Sequence, residues 1–348
     1  TFETLTGNKC LVDTFDRNFQ FNVEHVSLAK LADIFLVAPA SADVIGKIAN
    51  GIADDMLTTT IMACKCPKLI SPAMNTNMFT NPIVQDNLKK LEHYGYEIIQ
   101  PDSGYLACGD TGAGKMPSEQ VLLNYILRTI AKDKDMTGIK LTVTAGPTRE
   151  KLDPVRFLSN NSTGKMGYAI AKMAMLRGAD VTLISGKVSL EPVPFVKMVD
   201  IVSAEDMYNA VIKSAKDADI IIKAAAVADY RPSDVSDEKI KKKDGDMSIP
   251  LERTKDIIGT LGSSKRDGLF LCGFSMETEH MLDNSKVKLT KKNLDMIVAN
   301  NVKVAGAGFG TDTNVVTVIT KDAVEELPMM SKEEVADALL DRIMKARQ

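Results

Sequence analysis

The chain has 348 residues, 45% of them hydrophobic and 26% charged, an ordinary globular composition long enough for two domains with separate cores. A net charge of −3 leaves no electrostatic footprint for nucleic acid or an anionic membrane, and no apolar run reaches the length of a membrane span. Five cysteines, odd in number and thinly spread, argue against a disulfide framework and suit a reducing, cytoplasmic setting. The opening residues TFETLTGNK lack the apolar core of a signal peptide, and Cys64 and Cys66 have no second Cys or His cluster to complete a zinc site.

In chain order, HVSLAKLAD reads as a short amphipathic helix and IFLVAP as an apolar strand. ASADVIGKIANGIADDML adds a loop and a helix, LISPAM a second strand, VQDNLKKLEHYG a helix ending at Gly95, and YEIIQP a third strand. A helix capped by Ser118 closes this half, and the charged DKDMTGIK is the linker, placing a boundary near residue 135. The pattern then restarts. A β-branched run at 139–143 leads through a long polar loop into a helix that ends on Gly178, followed by a strand at 180–185. A helix around 204–218, the strand ADIIIKAAAV, a basic loop, IPLERTKDIIGTLG, the strand LFLCGFS, short strands at MIVAN and VVTVIT, and a final helix from Ser331 complete the chain. Strands alternating with helices predict an α/β fold of two doubly wound, Rossmann-like domains with mainly parallel sheets.

The loop Thr144–Gly167 is too long for an ordinary βα connection and rich in Gly, Ser, Thr and Asn. A strand, such a loop and a helix N-terminus make an anion site, because free N–H groups and the helix dipole face whatever the loop encloses. Lys239, Lys241, Lys242 and Lys243 crowd five residues, and Lys288, Lys291 and Lys292 form a second cationic group. Such runs are more often solvated loops, but a nucleoside triphosphate requires cations, and the acidic balance without interleaved aromatics weakens an RNA reading. Asn160 is the residue best suited to chemistry: a neutral amide can donate to an oxyanion and orient an amine without repelling phosphate. The bland alternative is a turn asparagine, a role that Asn161 can fill. In the first half, His25, Asn75 and Cys108 are types suited to proton handling, although each alone is more often structural. Gly109–Lys115 fits GxxxxGK, but Met116 stands where a P-loop has Ser or Thr, so these glycines point to a mobile flap instead. No strand is followed by GxGxxG, which counts against a nicotinamide dehydrogenase.

HVSLAKLAD, APASADVIGKIANGIADDMLT, PAMNTNM and ACGDTGAGKM resemble the flavin-dependent phosphopantothenoylcysteine decarboxylases of the coenzyme A pathway. That resemblance implies FMN along Pro39, Ala40, Ser41 and Ala42, His25 as the active-site acid or base, Asn75 on the substrate carboxylate, and Cys108 as proton donor from the flap. It also implies a strand and a Gly/Ser turn for the flavin phosphate ahead of Thr1, so domain 1–135 is expected to be N-terminally incomplete. Residues 136–348 resemble phosphopantothenate–cysteine ligases through TAGPTRE, DPVRFLSNNSTGKMG, KAAAVADYRP, EKIKKKDG and GFSMET. Together the halves resemble the bifunctional enzymes of bacteria and archaea, which join 4′-phosphopantothenate to cysteine through an acyl-cytidylate. The resemblance implies CTP contacts from Lys223, Ala224, Ala225, Asp229, Lys239, Lys255, Asp256, Ile257, Ile258, Phe274, Lys288 and Lys292. Hard cations bridge phosphates and carboxylates, which makes Asp229 a candidate Mg²⁺ ligand as well, and the resemblance implies Asn160 in the conversion by cysteine. Ser162, Gly164 and Lys165 suit the phosphate of phosphopantothenate. Homo-oligomers are implied, trimeric through decarboxylase contacts and dimeric through ligase contacts. A non-enzymatic, flavin-binding regulator on the same fold is the alternative, opposed by the intact His25, Asn75 and Cys108 set.

Overall fold

The computed structural model describes residues 1–12, 24–106, 109–242, 247–276, 281–300, 308 and 310–347. The chain divides into two compact units, Thr1–Lys132 and Asp133–Gln348.

In the first unit, α1 (Phe2–Thr6) and α2 (Glu24–Leu31) precede β1 (Phe35–Ala40). Then follow α3 (Ala42–Ala49), α4 (Met56–Ala63), β2 (Lys68–Pro72), α5 (Thr76–Phe79), α6 (Pro82–His93) and β3 (Glu97–Ile98). Strands β1, β2 and β3 form a parallel sheet in that order. Strand alternation splits the core: Ile70 joins Ile45, Ile48 and Leu91 on one face, while Leu69 joins Ile99 and Leu122 on the other. The glycine run resolves into a hairpin, β4 (Asp102–Tyr105) with β5 (Thr111–Lys115), and α7 (Glu119–Ile130) ends the unit. Its N-cap is Ser118, as read from the sequence. Most of the GxxxxGK motif lies in strand β5, and three residues separate it from the start of α7.

The second unit opens with β6 (Lys140–Ala145), the hairpin β7 (Arg149–Lys151) and β8 (Phe157–Ser159), α8 (Lys165–Leu176), β9 (Asp180–Ser185) and β10 (Lys197–Asp200). It continues with α9 (Ala204–Ser214), β11 (Ile220–Lys223), a small ribbon of β12 (Tyr230–Pro232) and β13 (Leu251–Arg253), α10 (Ile257–Ser263) and β14 (Phe270–Met276). It closes with α11 (Met281–Lys291), β15 (Met296–Asn300), β16 (Thr313–Thr320), β17 (Val324–Ser331) and α12 (Lys332–Ala346). The sheet runs β10-β9-β6-β11-β14-β15-β16-β17, parallel through β15 and antiparallel beyond. The chain builds outward from β6 to one side, then returns to β11 on the other. This reversal is a topological switch point, and it opens a crevice beyond the carboxyl ends of β6 and β11.

Helices cover both faces of this sheet: Ile220 and Ile222 face α8 and α12, and Ile221 faces α9 and α10. Arg177, 5% exposed, ties α8 to the rest by bonding Asp135, Asp337 and Asp341. These carboxylates, Asp135 above all, hold its guanidinium charged against the cost of burial. Arg177→Lys keeps the charge and loses the fork, so it should cost about 2 kcal/mol of stability, read as a lowered urea midpoint.

Candidate active sites

The Thr144–Gly167 connection is less of a loop than its composition suggests, because β7 and β8 zip its middle into a hairpin and leave two functional ends. The first end is stitched to the connection after β11. Ala225 N donates to Thr144 Oγ1 (3.1 Å), Ala226 N to Gly146 O (3.0 Å), and Ala228 N to Thr148 Oγ1 (3.0 Å). The exposed Asn160 follows β8, and its Nδ2 donates to Ala226 O at 3.1 Å. That bond ties the Asn160 side chain to the connection after β11.

The second end is the start of α8, three residues earlier than the sequence pattern placed it. Gly164 is the N-cap with φ +79°, a left-handed conformation that glycine adopts without strain. A side chain there would also press on Val188 and the Gly146 backbone. Gly167 brings the helix close to β6: its missing Cβ would lie 2.6 Å from the Ala145 Cβ. The orphan N–H groups of the first turn thus point beyond the sheet edge. They meet a cavity of about 30 Å³ lined in part by Ser162, Gly164, Lys165, Ala224, Phe274 and Lys332. Lys165 Nζ bonds Asp312 Oδ1 (2.7 Å) and Gly310 O (3.1 Å).

A larger cavity of about 380 Å³ lies beside it, lined by Lys223, Asp229, Tyr230, Arg253, Lys255, Asp256, Ile257 and Lys292 among others. Lys292 Nζ pairs with Asp256 Oδ2 at 2.9 Å, and Lys255 pairs with Glu205 at 2.7 Å while lying over the Tyr208 ring. Burial, then the neighbouring Lys292, pushes Lys223 below the ordinary lysine value against the pull of Asp256 and Asp229. Burial works against charge on Asp256 too, but the Lys292 ammonium and the Gly259 N–H outweigh it and keep its carboxyl low.

Six of the residues read as nucleotide contacts therefore converge. The rest distribute differently. Ala224 and Phe274 line the small cavity with Ser162–Lys165 rather than the large one. Ile258 is buried in the core, so only its main chain could meet a ligand. Lys288 contributes charge at Lys223 from α11. Lys239 is exposed on a loop that Asp153 and Arg156 anchor: Ile240 N donates to Asp153 Oδ2 (3.2 Å), and Arg156 Nη2 donates to Ile240 O (2.9 Å). The bond from Arg156 holds the buried Asp153 carboxyl well below the usual range. Sequence reasoning passed over this anchor, although the DPVR turn carries it. Lys243 lies outside the described residues.

In the first unit, α3 begins at Ala42 directly after β1, with Ser41 Oγ capping Val44 N. The corner offers small side chains: Pro39 and Ser41 are exposed, and Ala40 is fully buried. A flat, phosphate-bearing cofactor fits such a strand end, whose own side chains are small and which a helix N-terminus follows. Asn75 caps α5 by accepting from Asn77 N (2.8 Å), and its Nδ2 donates to Asp110 Oδ2 (3.1 Å). Met74 N donates to Gly114 O at 3.0 Å, so the hairpin is clamped against the PAMN turn. His25 sits half-buried in the first turn of α2. Cys108 lies outside the described residues. Among the described residues no three His, Cys, Asp or Glu side chains cluster to hold a metal, and no helix is long and apolar enough to cross a membrane.

The family described as DNA/pantothenate metabolism flavoprotein C-terminal domain matches residues 136–346, and the Flavoprotein family matches residues 1–131. The coenzyme A biosynthesis bifunctional protein CoaBC of Bacillus subtilis is 46% identical over 99% of the chain and 85% of its own length. A cysteine/cysteine sulfinic acid decarboxylase from an unknown prokaryotic organism is 42% identical over 99% of the chain and 98% of its own length. The crystal structure of the C-terminal domain of a CoaBC protein superposes with a TM-score of 0.53 at 44% identity, covering 61% of this chain and 97% of that domain.

Proposed function

The chain belongs to the family of coenzyme A biosynthesis bifunctional proteins, and on that premise we propose how its two units divide the chemistry. It is a bifunctional enzyme of that pathway. Residues 136–348 activate 4′-phosphopantothenate with CTP: a carboxylate oxygen attacks the α-phosphorus, pyrophosphate leaves, and the cysteine amine then displaces CMP from the acyl-cytidylate. The observation that supports this reading is a cationic cavity and a cavity at a helix N-terminus whose linings include, respectively, the successive residues Lys223 and Ala224 at the end of β11, with Asn160 bonded to Ala226 just beyond. Lys223, Lys292, Lys288, Lys239 and Lys255 supply charge for the triphosphate. Asp229 would take Mg²⁺ together with phosphate oxygens, as hard cations favour oxygen ligands. Ser162, Gly164 and Lys165 hold the phosphate of phosphopantothenate, and Phe274 offers an apolar wall beside them.

Residues 1–135 decarboxylate the ligation product to 4′-phosphopantetheine. Pro39–Ala42 would hold FMN, which when bound takes up and returns the thiol electrons and so gives carbanion formation an electron sink. Asn75 orients the substrate carboxylate, His25 moves a proton at the thiol, and Cys108 returns one from the flap. Oligomers, trimeric through the first unit and dimeric through the second, and a cytoplasmic location complete the proposal.

The test is pyrophosphate release that requires both CTP and 4′-phosphopantothenate, with ATP as control. Absence of CTP-dependent release removes the ligase assignment. Because a bound triphosphate favours the charged form of Lys223, binding should take up protons. CTP affinity should then fall as pH rises through a range below the ordinary lysine value, and Lys223→Met should flatten that dependence. Calorimetry in buffers of different ionisation enthalpy reads both.

A further inference from the structure

Lys165 is the cation at the α8 N-terminus, and its ammonium is already engaged by a carboxylate from 147 residues further along the chain, Asp312 Oδ1 at 2.7 Å. The backbone carrying Asp312 is fixed independently of that contact. Asp312 O accepts from Lys332 N (2.9 Å), and the buried Lys332 ammonium bonds the carbonyls of Gly308, Thr311 and Thr313. The Asp312 side chain, by contrast, is 89% exposed, and Lys165 holds its carboxyl below the ordinary range. An exposed pair of this kind adds little to folding. Its consequence falls on Lys165, whose other hydrogen bond among the described residues goes to the neutral Gly310 carbonyl.

We propose that Asp312 is an internal competitor for Lys165, a carboxylate held on the Lys332-anchored connection that an incoming phosphate group must displace. This rests on the reading that the α8 N-terminus binds a phosphate. A carboxylate oxygen and a phosphate oxygen make the same charge-assisted bond to an ammonium, so both cannot use one Lys165 geometry in full. The apparent dissociation constant is then raised by the population of the Lys165–Asp312 pair. The exchange keeps the cation in place before binding and sets affinity from outside the ligand contacts. The displacing phosphate can belong to 4′-phosphopantothenate or to the nucleotide, and separate titrations tell them apart.

The experiment is calorimetric titration of wild type, Asp312→Asn, Lys165→Met and the double variant, with 4′-phosphopantothenate alone and with CTP alone. Asp312→Asn should bind one of these ligands about two- to fivefold more tightly, the range expected for releasing an exposed ion pair, with an unchanged unfolding midpoint. In the Lys165→Met background the same substitution should have no effect on affinity, because nothing remains to be released. A gain that persists without Lys165 would be a long-range charge effect and would overturn the proposal, as would no gain in a background where Lys165→Met does weaken binding. If Lys165→Met weakens neither ligand, the reading of the helix terminus as a phosphate site fails, and the competition fails with it. Gain with CTP rather than 4′-phosphopantothenate would uphold the competition and reassign the Lys165 phosphate to the nucleotide.

Discussion

Replacing Asn160 with aspartate is expected to lower overall ligation on the order of a hundred- to a thousandfold while leaving the first pyrophosphate burst intact. The activating half-reaction depends on the lysine-lined cavity, which Asn160 does not line. The second half-reaction needs an amide beside the acyl group, able to donate to the developing oxyanion and to orient the cysteine amine. Aspartate loses the N–H that bonds Ala226 O at 3.1 Å, so the side chain is released from the connection after β11. It also sets a negative charge where negative charge develops. The acyl-cytidylate should therefore accumulate on the enzyme, one per site, and be recoverable by acid quench and mass spectrometry. Wild-type turnover with cysteine, or a burst as slow as the steady state, would remove Asn160 from this step.

The broad organisation of the chain was legible because it rests on local rules. Helix starts at Ser118 and Ser331 follow from side-chain capping, and the apolar runs of β6, β9, β11, β14 and β15 are what strands buried on both faces require. Strand β17 was missed for the converse reason. VEELPMMS is charged, mostly exposed and contains Pro328, which suits a sheet edge and weakens any strand signal. The site was legible as residue types but not as partners. Asp312 meets Lys165, Asp256 meets Lys292 and Asp153 anchors the Lys239 loop only because the sheet folds distant segments together. The lysine runs signalled positive charge, while the pairing of Lys292 with a carboxylate carries no sequence mark. Phe274 shows the same limit. Its position on β14 places it with the α8 N-terminus, and neither its type nor its spacing distinguishes that from the neighbouring cavity.

Gly114→Ala should abolish decarboxylation, by at least about a hundredfold, and leave CTP-dependent pyrophosphate release within twofold of wild type. Gly114 has φ +132°, and a Cβ built there falls 2.1 Å from Met74 O. Neither the backbone conformation nor the space admits a side chain. Alanine must therefore lift the hairpin from the PAMN turn, at a local cost of about 1–3 kcal/mol. Lifting it would break the Met74 N bond to Gly114 O, and with it the register that sets Asn75 against Asp110. If Asn75 orients the substrate carboxylate and the hairpin carries Cys108 to it, both proposed contacts go at once, although neither residue is altered. Gly104→Ala on the paired strand is the control: its Cβ would meet Lys115 Cδ at 3.7 Å, an ordinary van der Waals contact, and activity should hold. Formation of 4′-phosphopantetheine from purified 4′-phosphopantothenoylcysteine separates this from any ligase effect. Undiminished product from Gly114→Ala would mean that the hairpin is not the decarboxylase flap.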